Sequence, residues 1–181
     1  FGGGTPTLMP VELVAKILEC LAQYAILDDN IEVTLEGNPT SAEAKKLQAF
    51  KDAGINRLSL GVQALNDEDL AFLGREHSAK EAIQIVESAR NIFDNYSFDL
   101  IYARPEQTLQ KWEKELDQAL HYIGNHLSAY QLTIEKGTPF YAAHKNKQFS
   151  LPNDTLSEKL YTLTNEKLQT HSIQQYEVSN Y

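Results

Sequence analysis

Cysteine is almost missing from this chain: among 181 residues there is only Cys20. One thiol excludes an internal disulfide framework and points to a cytoplasmic setting; on its helix it is expected to be a small buried hydrophobe. Long apolar runs are missing as well. No stretch approaches the ~20 residues that cross a bilayer, and the N-terminus lacks the charged and apolar regions of a secretory signal. Positive charge is also in deficit, with 16 Lys and Arg against 25 Asp and Glu and a formal net charge of −9. The basic residues are scattered among acidic ones, which argues against nucleic acid as a partner. The five histidines, at 77, 121, 126, 144 and 171, show no paired metal-ligand spacing. With no low-complexity segment or interdomain linker, residues 1–181 read as one domain, and 42% apolar content supplies an ordinary core.

What the chain does have is a glycine-rich start, Phe1-Gly2-Gly3-Gly4-Thr5-Pro6-Thr7. Consecutive glycines allow positive φ and a close backbone approach to a ligand, and Pro10 suits the first turn of a helix. The segment reads as a strand end turning into a helix, with amides free to meet an anionic group. A sixth strand is expected to end just before Gly2. Because the chain begins with Phe rather than Met, a segment upstream is expected to be missing.

From there, helices and strands alternate. A helix from Pro10 to Tyr24 is expected to turn Leu13, Ile17, Leu21 and Tyr24 inward. Strands are read at Ile31–Leu35, Arg57–Gly61, Ser97–Tyr102 and Leu127–Thr133, with a short last one at Gln175–Val178. Capping boxes open helices at Thr40-Ser41-Ala42-Glu43, Ser78-Ala79-Lys80-Glu81 and Thr155-Leu156-Ser157-Glu158. Ala44, Leu47 and Phe50 face inward on the first of these and Ala82, Val86, Ala89 and Phe93 on the second, while Asn66 caps a short helix reaching Leu73. A further helix from Gln107 to Tyr122 carries Leu109, Trp112, Leu116 and Leu120, and residues 135–151 read as irregular. Repeated strand–helix alternation favours parallel strands in an α/β fold.

Polar residues gather at the C-terminal strand ends: Gly2 to Thr5, Glu36, Gln63, Asp99, Thr133 with Glu135, and Glu177 with Asn180. In a parallel α/β barrel these ends share one rim, where active sites are built. The residue types suit a polar organic ligand, with backbone groups for a carboxylate or amine and Glu36 and Asp99 for hydroxyls or ammonium.

The ordered motifs Phe-Gly-Gly-Gly-Thr-Pro-Thr (1–7), Leu-Glu-Gly-Asn-Pro (35–39), Asn-Arg-Leu-Ser-Leu-Gly-Val-Gln (56–63) and Gly-Arg-Glu-His (74–77) resemble the oxygen-independent coproporphyrinogen III oxidase branch of the radical SAM superfamily. Asp-Leu-Ile-Tyr (99–102), Ser-Ala-Tyr-Gln-Leu-Thr-Ile-Glu-Lys-Gly-Thr (128–138) and Tyr-Glu-Val-Ser-Asn-Tyr (176–181) extend the match, the last two resembling the HemW heme chaperones more than the HemN oxidases. The resemblance implies a partial (β/α)6 barrel whose first strand is missing. It also implies a pocket for S-adenosylmethionine (SAM). There the backbone of Gly3, Gly4 and Thr5 would hold the methionyl group and Glu36 would lie near the ribose or amine. Gln63, Arg75 and Asp99 would complete the pocket, and Thr133 would line it at the next strand.

In this family three cysteines of a C-x-x-x-C-x-x-C loop hold a [4Fe–4S] cluster. One cysteine cannot, so no catalytic residue or metal ligand is assigned and radical SAM activity is not expected of this chain alone. Nor does anything match the His-Asn-x-x-Tyr-Trp heme motif of the chaperones. Tyr-Ala-Arg-Pro (102–105) stands where the family has Tyr-Gly-Leu-Pro. Ala103 is expected to resist positive φ and Arg104 to disturb the pocket beside Asp99. The implied role is heme trafficking or another step of porphyrin metabolism, with heme and a separately encoded N-terminal fragment as partners. The alternatives are a remnant or one piece of a split enzyme, and an unrelated barrel binding phosphate at Gly2–Thr5.

Overall fold

The computed structural model describes the backbone of residues 1–181 and the side chains of all but residues 41 and 42. Four strands, β1 (Thr34–Gly37), β2 (Arg57–Gln63), β3 (Asn95–Tyr102) and β4 (His126–Gln131), form one sheet in that order. Every neighbouring pair is parallel. A 3-10 turn at Pro6–Leu8 and α1 (Val11–Tyr24) precede β1. Between the strands lie α2 (Ser41–Ala44) and α3 (Leu47–Asp52), then α4 (Asp67–Phe72) and α5 (Ala79–Ile92), then α6 (Leu109–Leu120). After β4 come α7 (Pro139–Lys145) and α8 (Asp154–Thr170). This is the α/β alternation expected of part of a (β/α) barrel. Among the described residues, no helix is long and apolar enough to cross a membrane.

Phe1 lies along the outer edge of β1. Its amino group donates to Thr34 O at 2.6 Å and its carbonyl accepts from Glu36 N at 3.0 Å. That is the hydrogen-bond pair of a parallel neighbour opposite Leu35, in keeping with a strand end before Gly2. The opposite edge differs from expectation. Residues 175–178 form no strand; Asn180 N–H donates to Glu177 O at 3.2 Å and turns the chain back. Only residues 179–181 then run along β4, antiparallel, with Leu127 and Tyr181 exchanging bonds at 3.0 Å. The buried Tyr181 ring anchors this end.

The core lies between the sheet and the helices. Leu35, Leu58, Leu60, Val62, Phe98 and Leu100 meet Phe50, Val86, Trp112 and Leu116 there. Each such aliphatic or aromatic side chain contributes roughly 1.5–3 kcal/mol by leaving water. Trp112 Nε1 donates to Thr164 Oγ1 at 2.9 Å, which ties α6 to α8.

Local signals explain most element boundaries, and the exceptions have physical causes. Ser78 forms a full capping box with Glu81. Thr40 forms half of one, because the Glu43 carboxylate turns to the Asn38 amide at 2.6 Å, and its helix breaks into α2 and α3. The third box is displaced: Asn153, not Thr155, caps α8 by accepting from Leu156 N at 2.9 Å. Strand β1 begins at Thr34 rather than Ile31 because the Asn56 side chain takes the Val33 amide and the Ile31 carbonyl, both at 2.7 Å. Residues 135–151 contain α7, started by Thr138 as N-cap and Pro139 at the first helical position. Phe140 and Phe149 of this segment pack edge-on against Phe72. Helix α1 is rotated from its expected phase: Val14 is buried, whereas Leu13, Leu21 and Tyr24 are exposed. The helix seats Leu18 against the Gly54 turn at the end of α3. Cys20 consequently faces solvent instead of the core.

Candidate functional site

The strands are two-faced. Along β2, Leu58, Leu60 and Val62 turn to the helices, while Arg57, Ser59 and Gly61 turn the other way. Asp99 on β3 and His126 and Ser128 on β4 repeat the alternation, as a period of two demands. These polar residues and the loops above them enclose a cavity of about 490 Å³. Six of the expected site residues come together on its wall: Gly4, Thr5, Glu36, Gln63, Arg75 and Asp99.

Gly3 is exposed and is not on that wall. Its N–H donates to Glu36 Oε2 at 3.2 Å, so the β1 carboxylate holds the glycine turn in place. Gly3 and Gly4 have φ of 82° and 65°, which only glycine adopts readily. Thr133 does not join the site. Strand β4 ends at Gln131, so Thr133 lies beyond it, exposed, and Tyr130 lines the cavity there instead. Glu135 is exposed in the same segment, while Asn180 reaches the cavity and accepts from Ser128 Oγ at 3.0 Å.

Arg57, Ser59, His126 and Ser128 also line the cavity and were not among the expected residues. A C-terminal strand end does not single them out, because Arg57 and His126 begin their strands. The usable signal was the alternation Arg57-Leu58-Ser59-Leu60-Gly61. Arg57 crosses the floor of the cavity, donating to Ser97 Oγ and to His126 Nδ1, both at 2.9 Å. An arginine can only donate, so His126 Nδ1 accepts and its proton sits on Nε2, 3.2 Å from Tyr176 Oη. Burial, reinforced by the Arg57 charge, pushes the His126 pKa down.

Burial pushes the Asp99 carboxyl up to about 6. The polar Ser128 hydroxyl nearby opposes this, the Glu36 charge adds to it, and Arg57 and Arg75 offset part of it. Arg75 is itself lowered by burial, with Asp99 restoring part of the loss. The cavity therefore pairs two carboxylates with two guanidinium groups, and one carboxyl sits close to its titration point near neutral pH.

The departure at 103–104 leaves this wall intact. Ala103 adopts φ 58° despite its Cβ and is buried. Arg104 turns away from Asp99, because carboxylates wait on the other side. It forms a two-point ion pair with Glu115, Nη1 lying 3.2 Å from Oε1 and Nη2 bonded to Oε2, and it approaches Asp69 Oδ2 at 3.1 Å.

A parallel α/β sheet with a polar cavity on the face turned away from its packed core, crowned by a glycine turn, makes one wall of an open (β/α) barrel. A family profile described as the radical SAM superfamily matches residues 1–119. The chain belongs to the radical SAM superfamily. It is 42% identical to the radical S-adenosyl methionine domain-containing protein 1, mitochondrial, of Mus musculus, covering 100% of this chain and 41% of that protein. With heme chaperone HemW of Bacillus subtilis (strain 168) it shares 36% identity, over 99% of this chain and 48% of the chaperone. The coproporphyrinogen III oxidase HemN of Escherichia coli superposes with a TM-score of 0.84 at 24% identity, over 99% of this chain and 41% of that chain. The fold is thus a partial radical SAM barrel of HemW/HemN type, and the chain spans less than half the length of these relatives.

SAM fits the donor set of the cavity. Glu36 and Asp99 can accept from its ribose hydroxyls or ammonium, Arg75 and Gln63 can donate, and the glycine turn offers backbone at Gly4 and Thr5. A [4Fe–4S] cluster does not fit. Among the described residues no group of three or more His, Cys, Asp or Glu could hold a metal, and Cys20 lies exposed on α1.

Proposed function

We propose that residues 1–181 form the SAM-holding wall of a HemW-like protein whose role is heme trafficking. The observation that carries this reading is the convergence of Gly4, Thr5, Glu36, Gln63, Arg75 and Asp99, drawn from five separate stretches of sequence, on one cavity. Glu36 orients the glycine turn and accepts from the amine or ribose. Arg75 and Asp99 balance each other's charge across the cavity, and Gly3 binds Glu36 through its N–H. Thr133 takes no part.

SAM bound to a reduced [4Fe–4S] cluster would supply radical chemistry in this superfamily; among the described residues no group of three or more His, Cys, Asp or Glu could ligate that cluster. The thiolates for such chemistry come from outside residues 1–181, as from a separately encoded fragment. The low cysteine content favours a cytoplasmic setting. Calorimetry with SAM tests the cofactor reading: saturable one-to-one heat is expected, lost in Glu36→Gln and reduced in Asp99→Asn. Absence of heat with the unaltered chain overturns it. A hemin titration followed by absorbance tests the trafficking role, where a shifted, saturable Soret band is expected and a spectrum identical to free hemin refutes it.

A further inference from the structure

Gln63 reaches the cavity from an unusual backbone. It ends β2 at φ 74°, a left-handed conformation that side-chain-bearing residues rarely hold. The pairing slips there, since Leu60 faces Phe98 while Gln63 faces Leu100, so β2 carries one extra residue. The bulge turns the Gln63 side chain back over Gly61, where its Nε2 would lie 2.9 Å from an added Cβ.

The groups that grip this turn lie behind the cavity wall. Leu65 N–H donates to Glu115 Oε1 at 2.7 Å, and Arg104 Nη1 approaches Gln63 O at 3.5 Å. Arg104 and Glu115 are bound to each other at two points, and they are only 1% and 7% exposed. Neither touches the cavity that Gln63 lines. A buried ion pair adds little net stability over apolar side chains of the same volume, and this pair is bonded to the turn at Gln63 and Leu65.

We propose that Arg104 and Glu115 are positioning residues that clamp the Gln63–Leu65 turn from behind and thereby set the affinity of the cavity for its ligand. This rests on the SAM reading above. Three measurements on the 181-residue chain test it: SAM affinity by calorimetry, the thermal midpoint, and hydrogen exchange at the Leu65 amide. The double variant Arg104→Met with Glu115→Met is expected to leave the midpoint close to that of the unaltered chain, the apolar pair offsetting the lost acceptor of the Leu65 amide. It is expected to bind SAM on the order of tenfold more weakly, as a displaced contact group would, and to exchange the Leu65 amide faster. Glu115→Gln keeps an acceptor for Leu65 but turns an amide donor towards Arg104 and breaks the two-point pair, so it is expected to lower the midpoint and to weaken SAM binding. Gln63→Ala weakens binding by itself, and adding the double methionine change to it lowers affinity no further.

A double variant with unaltered affinity overturns the clamp, and so does a loss that adds to that of Gln63→Ala. Should the double variant not fold, Arg104→Lys, which keeps the charge but not the two-point fork, is read in its place by the same criteria. If the unaltered chain binds no SAM, the cofactor reading falls on its own. Leu65 exchange then decides the clamp, acceleration supporting it and an unchanged rate overturning it.

Discussion

The helix-facing side of β2 and β3 carries Leu58, Leu60, Val62, Phe98 and Leu100, all buried, whereas the opposite side of the same strands carries Arg57, Ser59, Gly61 and Asp99 around a cavity. Parallel strands covered on both faces read as continuous apolar runs; these alternate. One face is organised for stability, and the other gives up stability for polar contact. The Asp99 carboxyl records that cost, because burial has moved it to about 6.

Adjacent residues on β3 should therefore respond to mutation with opposite signs. Phe98→Ala has the largest expected effect, a loss of about 3–5 kcal/mol by urea unfolding, as for other large-to-small core changes. A loss below about 1 kcal/mol would mean that the apolar face is not the main source of stability. Asp99→Asn should instead stabilise. The folded pKa lies above the unfolded value, so the native state binds more protons between pH 4 and 6 and stability falls as pH rises through that window. The cost is complete above about 6 and absent below about 4. Removing the charge is thus worth about 1–2 kcal/mol at pH 8 after allowing for partial exposure, and close to nothing at pH 4. A destabilised Asp99→Asn at pH 8 would break the contrast between the faces.

The same titration sharpens the contrast on the ligand side. SAM affinity by calorimetry should fall as pH drops below about 6, where Asp99 takes up a proton and ceases to accept from the ligand, and the slope should flatten in Asp99→Asn. Ser59→Ala should have the smallest effect, within about 0.5 kcal/mol of the unaltered stability. Ser59 lines the cavity and only accepts a long 3.4 Å bond from Ser97.

The sequence carried the site further than it carried the packing. Glu36, Gln63 and Asp99 were legible because strand ends share a rim in a parallel barrel, and Ser78 because a capping box is local chemistry. Thr133 was misplaced by extending β4 past Gln131, an error of two residues that moves a side chain from rim to solvent. Arg57 and His126 escaped because the interior of a partly polar barrel extends down to the strand starts. The phase of α1 was not legible either. Leu13 and Val14, like Ile17 and Leu18, are adjacent apolar pairs, and tertiary packing, Val14 in the core and Leu18 against Gly54, decides which of them faces in. Arg104 looked like an intrusion because its partner, Glu115, lies a helix away on α6.

Trp112 is the single tryptophan of the chain, and it stands on the packed side, fully buried against Tyr102 with its indole bonded to Thr164. Residues 1–181 thus carry one indole fluorophore, separated from the cavity by the thickness of the sheet. Its emission should track loss of the core on heating or in denaturant, free of contributions from any second indole. A ligand in the cavity cannot quench it by touch, so a change in Trp112 emission on adding SAM, corrected for absorption by the adenine, would report a shift carried across the sheet from the polar face to the apolar one.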